Sequence, residues 1–516
     1  MRMVLALGAI ASACGCGGAT TSCAGTCSSP DGSADTPITP CTAPTTLTSL
    51  GEPTRGFAVS PDGCQIVAAI RQSNGTEALQ LFSIDGMNPL TITASPGTYA
   101  YAPASELLAY VDDSANSGQL LVRDAGGRGV PRELGQGARD FEVTSDGKWT
   151  VYATGDPYGL VAAQALGGNG GPVQLSEHGQ PYQARGTNFG VDRSLGYYQS
   201  AGWDGTGGVT VLEESKETVW HSLADQRETL IQTDTMWPML TAHHPMTRLI
   251  AYVSKASGVV YAVRSLGGGS TTDLSITSDA DQSPTDTALR FTPNGRRVVV
   301  SWHSQPFDCV PSPNPCPPPP GGFVIFLLAP TPVQEHAVLC PTCGVLTPLD
   351  TGVLFIEAGQ LHFLPFDGVD QVLEPTVAAG THPLYRIDKT RWVYNVLTGD
   401  GGTPMELRLV DLADAMHPVA RTLGQLRLAG NQFSGAGLEL LPGESVHWLV
   451  VRDTVTQQWG LYNLELERLV STPYADWRPL RVVGDATVIY GRVKTSTDSG
   501  AALAFAELAV GPLPAR

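Results

Sequence analysis

Apolar and polar positions along this chain come in short bursts broken by turn residues. The stretch FAVSPDGCQIVAAI, Phe57 to Ile70, shows the unit: a short apolar run, a Ser-Pro-Asp-Gly turn signal and a second apolar run. It returns as FEVTSDGKWTVYAT at Phe141 and LRFTPNGRRVVVSW at Leu289. Weaker copies begin at Tyr99, Phe189 and Leu240, and fainter ones at Val345, Tyr385, Leu438 and Arg481. That makes about ten copies, spaced by roughly 40 to 55 residues, the period of a four-stranded propeller blade.

A second element follows each copy, as in LQLFSIDG at Leu79, QLLVRDAGG at Gln119 and LHFLPFDG at Leu361. These are short alternating strands that end in a turn signal. A further short strand, such as PLTITA from Pro89, completes the unit. One unit therefore reads strand, tight turn, strand, loop, strand, turn, strand, with no helical period of useful length. A single four-stranded sheet cannot bury both of its faces, whereas sheets stacked radially can. The expected fold is all-β, a β-propeller of four-stranded antiparallel blades over residues 51–516. One large ring is favoured because no linker-like composition separates two halves; two smaller rings of about five blades are the alternative. The turn pattern together with L-x-x-x-D-x-x-G-G resembles the repeat of TolB-like (WD40-like, PD40) β-propellers.

Composition narrows the picture. Of 516 residues, 42% are apolar and 16% charged, and Gly (58) and Pro (39) are abundant, as many short strands and turns require. The net charge of −18 argues against a nucleic-acid or anionic-membrane surface, which needs clustered Lys and Arg. The N-terminus MRMVLALGAIASAC has a basic start, a short apolar core and small residues before Cys14, the form of a secretory signal rather than a membrane span. Ala11-Ser12-Ala13-Cys14 resembles a bacterial lipobox. That resemblance implies removal of residues 1–13, lipidation of Cys14 (with Cys16 the weaker acceptor) and, with Gly15 following, an outer-membrane address. Residues 14–50, rich in Gly, Ser, Thr, Ala and Pro, read as a flexible tether.

The recurrent Asp62, Asp146 and Asn294 are read as turn residues. Paired with Gly63, Gly147 and Gly295, each is expected to supply the positive φ angles of a hairpin turn. Asn294 replaces Asp without disturbing the pattern, a change that a turn accepts and an acid catalyst does not. The cysteines carry more information. In an exported chain, Cys23, Cys27, Cys41, Cys64, Cys309, Cys316, Cys340 and Cys343 are disulfide candidates, their connectivity open. The loop CVPSPNPCPPPPGG from Cys309 lies between the second and third strands of the sixth unit, and Cys340-Pro-Thr-Cys343 lies where that unit passes to the seventh. In an up-and-down blade both connections emerge on the same ring face, so these four thiols are expected to converge. Zinc is the alternative, since Cys340-x-x-Cys343 has ligand spacing, but Cys309-x6-Cys316 is too wide for the usual knuckle. Thioredoxin-like chemistry would need the motif at a helix N-terminus. Adjacent His243 and His244 point to opposite faces of a strand and do not chelate one ion. Trp149, Trp302, Trp392 and Trp448 fall on the same strand of four units and are read as blade packing.

No Gly-x-Ser-x-Gly, phosphate-binding loop or His-Glu-x-x-His is present, and the last strand near AALAFAELAV leaves no room for a following hydrolase domain. The expectation is a non-catalytic, lipid-anchored envelope protein without cofactor, metal or nucleic acid. It would bind a protein, peptide or glycan through one ring face, with the Pro-rich loop 303–322 as first contact. Two alternatives are a propeller enzyme of lyase or glycosidase type, with channel acids drawn from Asp140, Glu142 and Asp192, and a purely structural scaffold.

Overall fold

The computed structural model describes residues 41–102, 105–114, 118–144, 147–154, 159–168, 170–181, 208–213, 217–232, 241–244, 249–254, 260–265, 271–274, 286–303, 321–328, 331–340, 343–377, 384–388, 390–397, 405–428, 447–474, 476–484, 486–493 and 505–514. By internal contacts the chain divides into Met1–Cys41 and Thr42–Arg516, and the fold below is that of the second part.

Its described elements are all strands, joined in nine antiparallel sheets. Eight sheets have four strands; the other has seven. The seven-stranded sheet holds two units that share one long strand. The first half of Val173–Pro181 pairs with Gly159–Ala165 as the outer edge of the third unit. Its last three residues pair with Gly208–Glu213 as the inner strand of the fourth. Counted this way the described strands form ten units, a β-propeller of four-stranded blades. The copy read at Phe189 lies outside the described residues. The first strand and turn of the copy read at Leu438 also lie outside the described residues; the described inner strand of the ninth unit is Leu426–Leu428.

Burial explains why the middle strands carry so many apolar residues. Gln65–Arg71 is buried at five successive positions, because each blade is covered on both faces. Ile66, Ala68 and Ile70 point into one cluster with Ile489 and Val510 of the tenth unit, and Val67 points into another with Leu108 and Tyr110 of the second. Outer strands differ: Val419–Gly424 is exposed at its first four positions. Each fully buried Val, Leu, Ile or Phe contributes roughly 1.5–3 kcal/mol, so the stacked middle strands dominate the stability.

The units pack in series. Apolar clusters join the first to the second, the second to the third, and the third to the fourth. Others join the fifth to the sixth and so on through the tenth. The tenth unit then joins the first. Its sheet is completed by the N-terminal strand Thr48–Gly51, which pairs with the C-terminal Phe505–Pro512. Two five-bladed rings would require the first unit to close on the fifth, whereas it closes on the tenth. The sheet thus begins at Thr48, inside the segment expected to be tether. A four-residue outer strand with a single buried side chain, Leu50, is too short for an apolar pattern to distinguish it from a linker.

Polar side chains stitch neighbouring blades together. The Asn395 side chain donates to Leu426 O at 2.8 Å and accepts from Leu428 N at 3.0 Å, acting as a strand rung between the eighth and ninth units. Tyr99 accepts from Ala69 N at 3.1 Å and donates to Gly56 O. Burial pushes its phenol up to about 12, which keeps the donor protonated.

Candidate binding face

The turn signal Ser60-Pro61-Asp62-Gly63 makes the inner hairpin of the first unit. Gly63 N donates to Ser60 O at 2.9 Å, and Ser60 N donates to Gln65 O at 3.0 Å. Only Gly63 has a positive φ (74°); neither Asp62 nor Asn294 does. The geometry is a type I turn followed by a left-handed glycine, not the two-residue turn expected from Asp-Gly. Asp62 caps the turn instead, its Oδ1 accepting from Cys64 N at 3.0 Å and Ser60 Oγ at 2.5 Å. The sixth unit repeats this: Asn294 Oδ1 accepts from Arg296 N at 2.9 Å and Thr292 Oγ1 at 2.8 Å, and Gly295 has φ 65°. In the third unit Gly147 (φ 68°) donates to Thr144 O at 2.8 Å, while Asp146 lies outside the described residues.

The residue that opens the turn was not singled out in the sequence. The hydroxyls of Ser60, Thr144 and Thr292 are buried, and each accepts the N–H that opens the next strand, from Gln65 at 2.9 Å, Trp149 at 3.0 Å and Arg297 at 3.1 Å. The recurrence of Ser or Thr three positions before Gly was the available signal. Carboxylates in other turns act like Asp62. Asp388 Oδ1 accepts from Thr390 N at 2.9 Å and Arg391 N at 2.8 Å. Burial alone would raise its pKa, but these bonds and the Arg391 guanidinium outweigh it and hold it below the usual carboxylate value. At Asp453 the Thr456 N–H leads the same downward shift.

The opposite ring face carries the connections between second and third strands and the crossovers between blades. In the sixth unit Arg297–His303 and Gly321–Leu327 bracket residues 304–320, with His303 paired to Gly321. Cys340 N donates to Gly321 O at 2.7 Å, so the crossover sits against the base of that loop. Cys340 and Cys343 are joined to each other by a disulfide with Cα atoms 5.3 Å apart, and both are buried in the cluster between the sixth and seventh units. Their sulfurs are therefore not thiolate ligands for zinc. Cys309 and Cys316 lie outside the described residues, as do Cys14, Cys16, Cys23 and Cys27. Cys41 and Cys64 are both half-cystines.

Trp392 is buried between the seventh and eighth units, Trp149 packs between the third and fourth, and Trp448 between the ninth and tenth; the Trp302 side chain is outside the described set. His243 and His244 are consecutive on Thr241–His244, opposite Ile250 and Leu249. Asp140 and Glu142 lie on the inner strand Asp140–Val143, Glu142 half-buried, and Asp192 is outside the described residues. Among the described residues no three His, Cys, Asp or Glu side chains come together as a metal-binding group, and no helix is long and apolar enough to cross a membrane.

No protein-family model matches the chain. No curated protein sequence matches it either. Solved structures resemble it at low identity. A eukaryotic initiation factor is 10% identical, with 87% of this chain and 95% of that chain covered and a TM-score of 0.44. Porphyromonas gingivalis dipeptidyl peptidase 4 is 11% identical, covering 86% of this chain and 65% of that one, with a TM-score of 0.42. TolB from Acinetobacter baumannii is 12% identical over 70% of this chain and 64% of its own, with a TM-score of 0.23. The fold stands on the ten sheet units and their closure, not on these likenesses.

Proposed function

We propose that this chain is a non-catalytic cell-envelope lipoprotein whose propeller binds a protein, peptide or glycan partner through the ring face that carries residues 304–320. The observation that supports this reading most is the build of that loop's base. A 17-residue connection rich in Pro leaves one blade between His303 and Gly321, against a buried, cross-linked crossover. Loops held by a rigid scaffold are where propellers and similar folds place recognition. The recurrent acidic residues have another occupation, as hydrogen-bonded turn caps. The lipobox resemblance at Cys14 supports the reading of an anchor in the outer membrane.

The test is capture of partners from solubilised envelope by the full chain and by a variant in which 304–320 is replaced by a short Gly-Ser linker. A partner retained by the first and lost by the second is the expected result. Equal retention would refute the loop as contact. Intact mass of the mature protein tests the anchor: a diacylated Cys14 is expected, and an unmodified N-terminus contradicts it.

A further inference from the structure

The chain carries 49 acidic and 31 basic residues, yet two arginines near the end of the ninth unit have no carboxylate partner among the described residues. Arg427, on Leu426–Leu428, is exposed and sits directly opposite Arg452 on Trp448–Asp453. Like charges placed directly across a strand pair repel. Arg452 in turn sits opposite Trp459, its guanidinium carbon 5.4 Å from the indole centroid. Among the described residues its guanidinium makes one hydrogen bond, from Nε to Gln457 O at 3.1 Å. From the tenth unit Arg478, 7% exposed, places its guanidinium carbon 4.6 Å from the same ring. Burial first, and then the Arg452 charge, pull the Arg478 pKa down to about 10.

The tenth unit offers an internal comparison. There Arg492 sits opposite Trp477, 5.6 Å from its ring, in the same cross-strand arrangement. Its guanidinium donates to the Glu507 carboxylate of the neighbouring strand. Some other arginines are paired with carboxylates too, Arg55 with Glu77, Arg297 with Glu335 and Arg391 with Asp388, while Arg123 and Arg132 donate to backbone carbonyls. Arg452 of the ninth unit and Arg478 of the tenth share one indole, and the position opposite Arg452 on its other neighbouring strand, where Arg492 has Glu507, is taken by Arg427.

We infer that Arg427, Arg452 and Arg478 around Trp459 form a binding site for a carboxylate carried by a ligand. The planar guanidinium fork matches a carboxylate in a bidentate manner, and an indole beside it offers apolar area to the carbon chain that bears the group. Arg and Trp are also the residues that dominate binding hot spots. The site opens where Trp448–Asp453 turns toward Trp459, on the ring face that also carries residues 304–320. It rests on the partner-binding reading only for its natural ligand, an acidic partner.

The experiment is calorimetry and indole fluorescence on the full chain, with tricarballylate as the carboxylate probe and inorganic phosphate as the competing anion. The variants are the double substitution Arg427→Gln, Arg452→Gln, which touches exposed and half-exposed side chains, and Trp459→Phe. Saturable tricarballylate binding is expected, weakened by about tenfold or more in the double variant, since one charge-assisted hydrogen bond is worth about 1.5–3 kcal/mol. The fluorescence change is expected to vanish in Trp459→Phe. Binding that is unchanged in the double variant, no binding in the wild type, or phosphate binding as tightly as tricarballylate would each overturn the inference. Carboxylate binding that survives removal of 304–320 while no partner depends on that loop would uphold this site and defeat the proposed function. Partner capture without carboxylate binding would do the reverse.

Discussion

Ring closure rests on Leu50, and its truncation gives the sharpest test of the fold. The side chain is 4% exposed and lies in the cluster that joins Phe57 and Ile70 of the first unit to Ile489, Leu508 and Val510 of the tenth. Leu50→Ala removes three carbons. At about 0.8 kcal/mol per buried carbon the transfer loss is about 2.4 kcal/mol. Both flanking sheets are held by their own ladders and collapse only in part into the gap. The cavity adds to the loss, bringing the total to about 3–4 kcal/mol, within the range for buried Leu→Ala changes. The assay is equilibrium urea unfolding, with Leu354→Ala, wholly buried between the seventh and eighth units, as reference. Similar losses at unchanged slope are expected. If Leu50→Ala costs less than about 0.5 kcal/mol while the reference costs several, Thr48–Gly51 is not part of the folded ring.

Four further predictions address the blades. Asn395→Ala, which removes both hydrogen bonds to the inner strand of the ninth unit, should cost about 2 kcal/mol by urea unfolding at roughly 1 kcal/mol per bond; no loss would mean that the rung is not formed. Asp62→Asn keeps the capping oxygen and should change stability by less than about 0.5 kcal/mol, whereas Asp62→Ala should cost about 1 kcal/mol; a large effect of the Asn change alone would return Asp62 to the list of chemical groups. Cys340 and Cys343 should resist reductant and alkylation in the native state and react only on unfolding, read by mass after thiol trapping, because both sulfurs are buried. His221 has its pKa lowered by burial, against the opposing charge of Glu228. Its unfolded form therefore binds the proton more readily, and its contribution is full above about pH 6.5 and lost as the pH falls below that value. The acid-side slope of stability should flatten in His221→Gln, and an unchanged slope would contradict the shift.

Much of this architecture is written in the turns. A short inner hairpin needs a left-handed glycine, a capping oxygen and a hydroxyl, so Ser60-Pro61-Asp62-Gly63 and its relatives mark the blades directly. Where the connection lengthens, that chemistry is no longer required. The inner strands of the fourth and ninth units, the end of Val173–Pro181 and Leu426–Leu428, are short and lack the signature. Thr48–Gly51 was hidden for a related reason: an outer strand half open to water needs no apolar alternation. Cys340 and Cys343 were legible as disulfide candidates but not as each other's partner; the tight turn in which Cys343 N donates to Cys340 O brings the two sulfurs together. The arginine site had no sequence signal. Its residues, 427, 452, 459 and 478, come from four strands of two blades and meet only through register.

Photo-crosslinking from both faces of the ring tests the proposed one-faced recognition most directly. A photoreactive residue at Val455, 69% exposed in the turn beside the arginine site, is compared with one at Met87, 54% exposed on the opposite face. Adducts to a common partner should form from position 455 and not from position 87. Adducts from position 87 alone, or equally from both, would contradict a one-faced binding propeller.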